Sequence, residues 1–424
     1  MRGGHISPSV ELFGAFPHGS RGIAASADIQ KGDVLVLMPM KACIHAYAED
    51  EEEAGSLQLN SLLEALPETT GPFLRTTLVL MHHMSLGSDS PKRAYLDTFP
   101  KSHDCTLCWR DTEMSALKGT SIQHTGQQMS RNVFTQHIKP ALDAHPDMFP
   151  GMGYEAFEYA AGMVQSRSFS INTENFITGE STEGKELYLI PGIDMLNHST
   201  RPEDVNTTLQ RRTETVSKHS SSHADSMNFS GFFAIEAERP IKAGEEIMIS
   251  YGDLSDAQLL QTYGFVEEYK DFGNPWNFVA VPSNIVAQAA KAVQKSAQRG
   301  SQKRKRQEEE AELGFRLTEE EPIPENLLEY VQTLAEEEQV IPTLLTLADR
   351  LTARYEGAQK SDEHLLQSGS VRGRLRSAML VRVGERRLIR RFKEAVIHLL
   401  AGDDEEDEDD EQGGHEEDGS GDSM

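Results

Sequence analysis

Three observations predict an α+β protein with a divided β-rich unit. Short apolar runs with Lys-Gly-acidic turns recur at residues 20–47 and 238–252. Apolar residues fall at helical spacing between them, and again from residue 284 onward. The expected order is an extension at 1–14, then a β-rich unit at 15–270 carrying a helical insert at about 50–165. An all-helical domain at 271–400 and a disordered acidic tail at 401–424 follow. Such discontinuity lets residues far apart in the chain line one cleft.

The elements follow in order. In "SRGIAASADIQKGDVLVLMP" two extended runs flank "QKGD", a turn signal, so this segment reads as a strand hairpin. "ERPIKAGEEIMISYG" repeats the pattern and predicts a second hairpin of the same kind. "AGSLQLNSLLEAL", "GPFLRTTLVLMHHMSLG" and "GYEAFEYAAGMVQSRSF" predict helices, the last ending near Arg167. Residues 201–229, polar and rich in Ser and Thr, predict a long exposed hairpin or loop. Within the C-terminal helical region, the charged run "RGSQKRKRQEEEAE" predicts a mobile insertion.

The net charge of −27 is unevenly spread, since the last 22 residues hold 13 acidic residues and no Lys or Arg, leaving −14 elsewhere. A block so charged and so poor in apolar groups repels itself and stays unfolded. It is either a solubilising tail or a lure that concentrates basic proteins. No apolar stretch approaches the ~18–20 residues that span a bilayer, and "MRGGHISPSVELFGAFP" lacks the apolar core of a signal peptide. Three cysteines make no disulfide framework, which fits a reducing compartment, cytoplasmic and/or nuclear.

Two polar clusters carry chemistry. "LIPGIDMLNHST" ends an apolar run in Asp194, Asn197 and His198, which can bond a polar ligand from several directions. In "EEIMISYGDLSDAQLLQTYGF" a strand delivers Tyr251, Ser255 or Asp256 caps a short helix, and the helix stops at Gly264 between Tyr263 and Phe265. Tyr251 alone would read as core packing with its hydroxyl tied to a backbone carbonyl.

The ordered set "SRGIAA", "SRSF", "DMLNHS" and "SYG…YGF" resembles the SET-domain protein methyltransferases. The likeness is to the branch of the Rubisco large-subunit lysine methyltransferase and the actin-histidine methyltransferase. It extends over most of residues 15–400, taking in "RAYLDTFP" and the closing "VRGRLRSAMLVRVGERRLIRRF", similar to the branch's substrate-binding domain. The resemblance implies a SET fold whose segment after Tyr251 threads the chain carrying Asn197 and His198 as a pseudoknot. It implies S-adenosyl-L-methionine as cofactor. The backbone around Gly19, Ser20 and Arg21 would meet its methionine part, and Arg167 its carboxylate. Asn197 and His198 would hold the amino group and adenine, with Asp194 nearby, while Tyr263 and Phe265 pack on the adenine.

Tyr251 matches the family's catalytic tyrosine and would orient the attacking nitrogen. The residue two after the cofactor arginine, here Phe169, faces the acceptor in this branch. An apolar wall suits a lysine stem better than an imidazole, so the expected activity is protein-lysine N-methylation. Histidine methylation, or a catalytically silent binding module for basic proteins, is the alternative. The expected partner is a protein with an accessible lysine, met by a monomer without membrane or nucleic acid. Asp256 departs from the family's usual asparagine; it keeps the capping role and adds a negative charge. "HDCTLC" offers His103, Cys105 and Cys108, with Cys43 distant, and four ligands are needed for structural zinc, so no metal is expected. "KRKR" at 303–306 is either a nuclear import signal or a solvated loop. The basic run at 372–393 reads as an amphipathic helix.

Overall fold

The structure, a computed structural model, describes residues 3–16, 21–46, 56–67, 70–122, 125–174, 181–212, 231–267, 273–297, 314–355 and 361–402. Gly19, Ser20, "KRKR" and the acidic stretch from 403 lie outside the described residues. The chain divides into two compact units, residues 1–277 with 362–381, and residues 278–361 with 382–424. Residues 271–277 and 362–381 therefore group with the β-rich unit, against the expected boundary at 271.

Among its described residues the first unit has ten strands: β1 (His5–Ile6), β2 (Val10–Ala15), β3 (Arg21–Ala25), β4 (Val34–Pro39), β5 (Ser168–Glu174), β6 (Ser181–Leu189), β7 (Asn197–His198), β8 (Thr207–Arg212), β9 (Phe232–Ala237) and β10 (Glu246–Ile249). One four-stranded sheet runs β1-β4-β9-β8, a second runs β2-β3-β10-β7, and β5 pairs with β6. Ile23, Leu35, Met38, Ile193, Phe233, Ile235, Ile247 and Ile249 form one shared core cluster.

Two sequence expectations are corrected here. Residues 1–14 are no extension, since β1 pairs with β4 and β2 with β3. The two expected hairpins are not hairpins either. β3 and β4 enter different sheets, as do β9 and β10. The two turns meet instead, with Ile29 and Ile241 exchanging backbone bonds of 2.9 and 3.0 Å. Both flanking runs are apolar enough to be buried, and a buried strand takes whichever partner satisfies its backbone groups. For 201–229 the hairpin alternative holds in the described residues, where β8 pairs antiparallel along β9.

The insert is helical as expected, with helices Ser56–Ala65, Pro72–Ser85 and Tyr154–Arg167 among others. Leu78, Leu80, Met81, Phe157, Ala160, Ala161 and Val164 pack into its own core. Helix Pro72–Ser85 is buried on every side from Thr76 to His83, as a central core helix is, while Phe157, Ala160, Ala161 and Val164 recur at i, i+3, i+4 and i+7.

The second unit departs from all-helical by two short strands, β11 (Val279–Pro282) and β12 (Gly314–Leu317), paired antiparallel. Helices Ser283–Ala297, Glu325–Leu334 and Glu337–Ala353 accompany them. Helix Gly373–Gly402 ends the described chain, its residues from 382 onward counting with this unit. Val279, Phe315, Leu327, Leu344, Leu347, Leu351 and Phe392 make the core. The basic residues of the last helix work as ion-pair partners, with Arg387 and Arg391 both on Glu319.

One glycine closes the first unit. Gly264 ends helix Asp256–Tyr263 at φ 84°, and an added Cβ would lie 2.4 Å from the Asp104 carbonyl carbon. Gly264→Ala should therefore cost about 1–3 kcal/mol from the backbone conformation alone, and more from the collision. Urea denaturation measures it; an unchanged midpoint would contradict the close approach.

Candidate functional site

A cavity of about 300 Å³ gathers residues that the sequence scatters: Arg21, Arg167, Asp194, Asn197, Tyr251, Tyr263 and Phe265 all line it. The chain supplies each by a different local device. Helix Tyr154–Arg167 stops as β5 begins, leaving Arg167 at its last turn. A 3-10 turn, Ile193–Met195, presents Asp194 after Gly192. β7 runs parallel to β10 with Asn197 beside Met248 and His198 beside Ile249. Strand β10 then ends two residues before Tyr251, and the capped helix Asp256–Tyr263 returns Tyr263 and Phe265.

Arg167 and Asp194 form a desolvated pair. Arg167 NH1 donates to Asp194 Oδ2 and to the Asp194 backbone carbonyl, both at 3.1 Å. The Asp194 side chain has no exposed surface, while Arg167 keeps 17 %. The Tyr95 hydroxyl donates to the same Oδ2 at 3.0 Å. Burial pushes the Asp194 carboxyl up, and the Arg167 charge and the Tyr95 bond hold it down. Burial, reinforced by that carboxylate, pushes the Tyr95 hydroxyl well above its usual range, so it remains the donor. The Arg167 guanidinium retains further N–H groups beyond NH1 for a ligand in the cavity.

The Tyr251 ring lies between His198, stacked at 4.9 Å, and Tyr263 at 4.6 Å. Its hydroxyl donates to the Leu196 carbonyl at 2.6 Å. The carbonyl tie expected of a packed tyrosine is thus present, on a ring that nevertheless faces the cavity. Burial, then Tyr263, raises its pKa, so the phenol keeps its proton across the physiological range. The His198 Nδ1 accepts the Tyr251 N–H at 3.0 Å, which assigns the proton to Nε2. Burial lowers the His198 pKa and keeps the ring neutral. Its buried Nε2 has no partner among the described residues.

Two expected site residues stand outside the lining. His198 supports Tyr251 from behind, and Phe169 packs on the core cluster from β5. Gly19 and Ser20 lie outside the described residues.

Asp256 does not cap its helix. The Ser255 Oγ accepts from Gln258 N–H at 3.3 Å, and Gln258 accepts in return from Ser255 N–H at 3.0 Å. The Asp256 carboxylate is buried and tied to Asn274 at 3.1 Å and Asn277 at 2.7 Å. Its charge is spent on that loop and not offered to the cavity.

Several groups in or beside the lining had no cavity role in the sequence reading. Thr98, Pro100, Ser102, His103 and Asp104 of the insert close one side. Tyr95 sits inside the quoted "RAYLDTFP", so a signal existed for it. Glu246, bonded to Asn197 at 2.7 Å, had none beyond its strand. Among the described residues, no three His, Cys, Asp or Glu side chains are grouped to hold a metal. The Cys105 thiol contacts His103 Nδ1 at 3.0 Å, and Arg374 NH2 approaches the Cys108 sulfur at 3.2 Å.

A divided β-rich unit with this parallel crossing and this cavity defines a SET-type protein. Residues 20–252 match the SET domain, and the chain belongs to that family. It is 26 % identical over 259 residues to the ribulose-1,5-bisphosphate carboxylase/oxygenase large subunit N-methyltransferase of Nicotiana tabacum, covering 60 % of this chain and 47 % of the relative. It is 23 % identical to the fructose-bisphosphate aldolase-lysine N-methyltransferase of Arabidopsis thaliana, covering 88 % and 76 %. With the N-lysine methyltransferase SETD6 of Bos taurus the identity is 24 %, covering 63 % and 55 %. The chain thus spans about half the length of the tobacco and bovine relatives. A crystal structure of the SET domain of LSMT bound to lysine and AdoHcy superposes with a TM-score of 0.64 at 20 % identity, covering 94 % of this chain and 90 % of that one.

Two measurements test the electrostatics. Asp194→Ala strands the Arg167 charge and the Tyr95 hydroxyl, and should destabilise by about 2–4 kcal/mol in urea denaturation. Glu267 is separate from the lining: it accepts from the Thr200 backbone N–H at 3.1 Å, and burial lifts its carboxyl from 4.5 to about 7. A raised acid disfavours the folded state once it ionises. Its contribution is thus lost as pH rises from 4.5 towards 7, and stays lost above. Glu267→Gln should flatten the pH dependence of stability over that window; a curve parallel to wild type would count against the raised carboxyl.

Proposed function

We propose that the chain is an S-adenosyl-L-methionine-dependent protein-lysine N-methyltransferase. The convergence of Arg21, Arg167, Asn197, Tyr251, Tyr263 and Phe265 on one cavity carries this reading. The cavity's about 300 Å³ lies at the lower end of ligand pockets, suited to a nucleoside with an amino-acid arm. The lining fits such a group: a guanidinium for the carboxylate, an amide for the ammonium, two aromatic rings for the adenine. The naming of the tobacco, Arabidopsis and bovine relatives as N-methyltransferases supports the same activity.

When bound, the cofactor supplies a methyl group on a positively charged sulfur. The chain's own contribution is position and environment. The Tyr251 proton is committed to the Leu196 carbonyl, so the phenol oxygen's remaining lone pairs face outward as acceptors for an amine N–H. Its rings above and below restrict the phenol to one setting, and restricted geometry of this kind lowers an activation barrier by several kcal/mol. The phenol is too weak an acid, held up by burial, to serve as the general base. The acceptor amine must therefore lose its proton before transfer. Desolvation lowers an amine's pKa and favours that loss.

Lysine is preferred as acceptor because the Arabidopsis and bovine relatives are named as lysine N-methyltransferases, and because Phe169, at the position that faces the acceptor in the resembling branch, offers an imidazole nitrogen no bond. The protein partner would present an accessible lysine. The acidic stretch 403–424 is read as an attractor for basic partners, and the place of action as the cytoplasm and/or nucleus. Among the described residues no helix is long and apolar enough to cross a membrane.

Purified protein incubated with methyl-labelled cofactor and cell extract should label a protein band, and mass spectrometry of that band should find methyl-lysine. A silent binding module would label nothing. Tyr251→Phe should lower transfer by at least about a hundredfold, the range of a lost transition-state hydrogen bond, with S-adenosylhomocysteine binding retained. The wild-type rate should climb with pH as the amine deprotonates, without a falling limb from Tyr251 below about pH 10.

A further inference from the structure

Asn197 is held in a way the sequence did not suggest. Its Nδ2 donates to the Arg21 carbonyl at 3.1 Å and to Glu246 Oε1 at 2.7 Å. Both partners are acceptors, a carbonyl and a carboxylate, so the amide nitrogen must face them and both of its hydrogens are committed. The atom of this cavity-lining amide left to meet a ligand is Oδ1, which can only accept.

Three neighbouring strands build this arrangement. β10 lies between β3 and β7, and brings Glu246 beside Ala24 while its next pairs reach Asn197 and His198. Space for the contact comes from β3. A Cβ at Gly22 would stand 2.6 Å from Glu246 Oε1 and 2.7 Å from Asn197 Nδ2. Any side chain there would break the bond between them.

We infer that Glu246 is a positioning residue: it turns the Asn197 amide so that Oδ1 accepts the α-ammonium of the bound cofactor. Without Glu246 the amide is free to flip, presenting N–H groups to a cation, which repels it. The bond to a charged carboxylate sets the orientation more firmly than the Arg21 carbonyl could alone. This inference rests on the cofactor reading above.

The test compares two ligands that differ in the ammonium alone, S-adenosylhomocysteine and its deaminated analogue, by calorimetry on the full chain. Glu246→Ala should weaken S-adenosylhomocysteine about tenfold, the loss of one hydrogen bond to a charged group, and the deaminated analogue less than about twofold. Glu246→Asp withdraws the carboxylate by one methylene and should show the same selectivity at about fivefold. It carries the comparison if the alanine variant does not fold. Equal losses on both ligands would mean a merely structural bond and overturn the inference. A wild type that binds neither ligand would refute the cofactor reading, and the inference with it.

Discussion

The parallel pairing of β7 with β10 is the constraint on which the site depends. It joins chain positions some fifty residues apart, Asn197 to Met248 and His198 to Ile249. Only with that register does the Tyr251 N–H reach the His198 Nδ1 and the Tyr251 hydroxyl the Leu196 carbonyl. A slip of one residue would send the alternate side chains into the cavity. Asn206 fixes the register from the side, accepting from Met248 N–H at 2.8 Å and donating to the Glu246 carbonyl at 2.8 Å. After Tyr251 the chain returns past the same segment, where Thr200 donates to Glu267. That contact lays the segment after Tyr251 against the chain carrying Asn197 and His198.

Charge inside the cavity is balanced before any ligand arrives. The Arg167 guanidinium is paired with Asp194, which Tyr95 reaches from the insert. A buried pair of this sort adds little net stability, because desolvation offsets the attraction. Its value lies in geometry: a guanidinium held by one edge keeps its other N–H groups in a fixed plane. The aromatic stack of His198, Tyr251 and Tyr263 is likewise neutral, with burial keeping each ring uncharged. With Arg167 held in place beside neutral rings, the site accepts a zwitterion without rearranging that pair.

The insert and the β-rich unit are interdependent through close backbone approach. Gly264 lets the end of helix Asp256–Tyr263 touch the backbone of Asp104 and Cys105. Arg374 adds a lateral tie, bridging Asp104 at 3.1 Å and Glu113 at 3.2 Å. Trp109, Leu260, Ala378 and Val381 share one core cluster beneath these contacts. That explains why residues 362–381, distant in sequence, count with the first unit.

Motif residues were legible because their chemistry is unusual where it stands: Asp194, Asn197 and His198 after an apolar run, Tyr251 before a glycine, Arg167 at the foot of a helix. Helices of the insert were legible because their apolar residues repeat at helical spacing, a property of local sequence. Strand partners were not. "SRGIAASADIQKGDVLVLMP" and "ERPIKAGEEIMISYG" look like hairpins, yet the first divides β3 and β4 between two sheets and the second holds the single strand β10, since an apolar strand does not encode which neighbour completes its hydrogen bonds. The same holds for Glu246, whose side chain is ordinary in sequence and acquires a role from the Asn197 amide packed against it. Sequence alone singled out most of the polar and aromatic residues that meet in the cavity, and which segments of the insert are helical. Tertiary structure decided who holds them in place, because hydrogen-bond partners a hundred residues away become neighbours only when the sheets close.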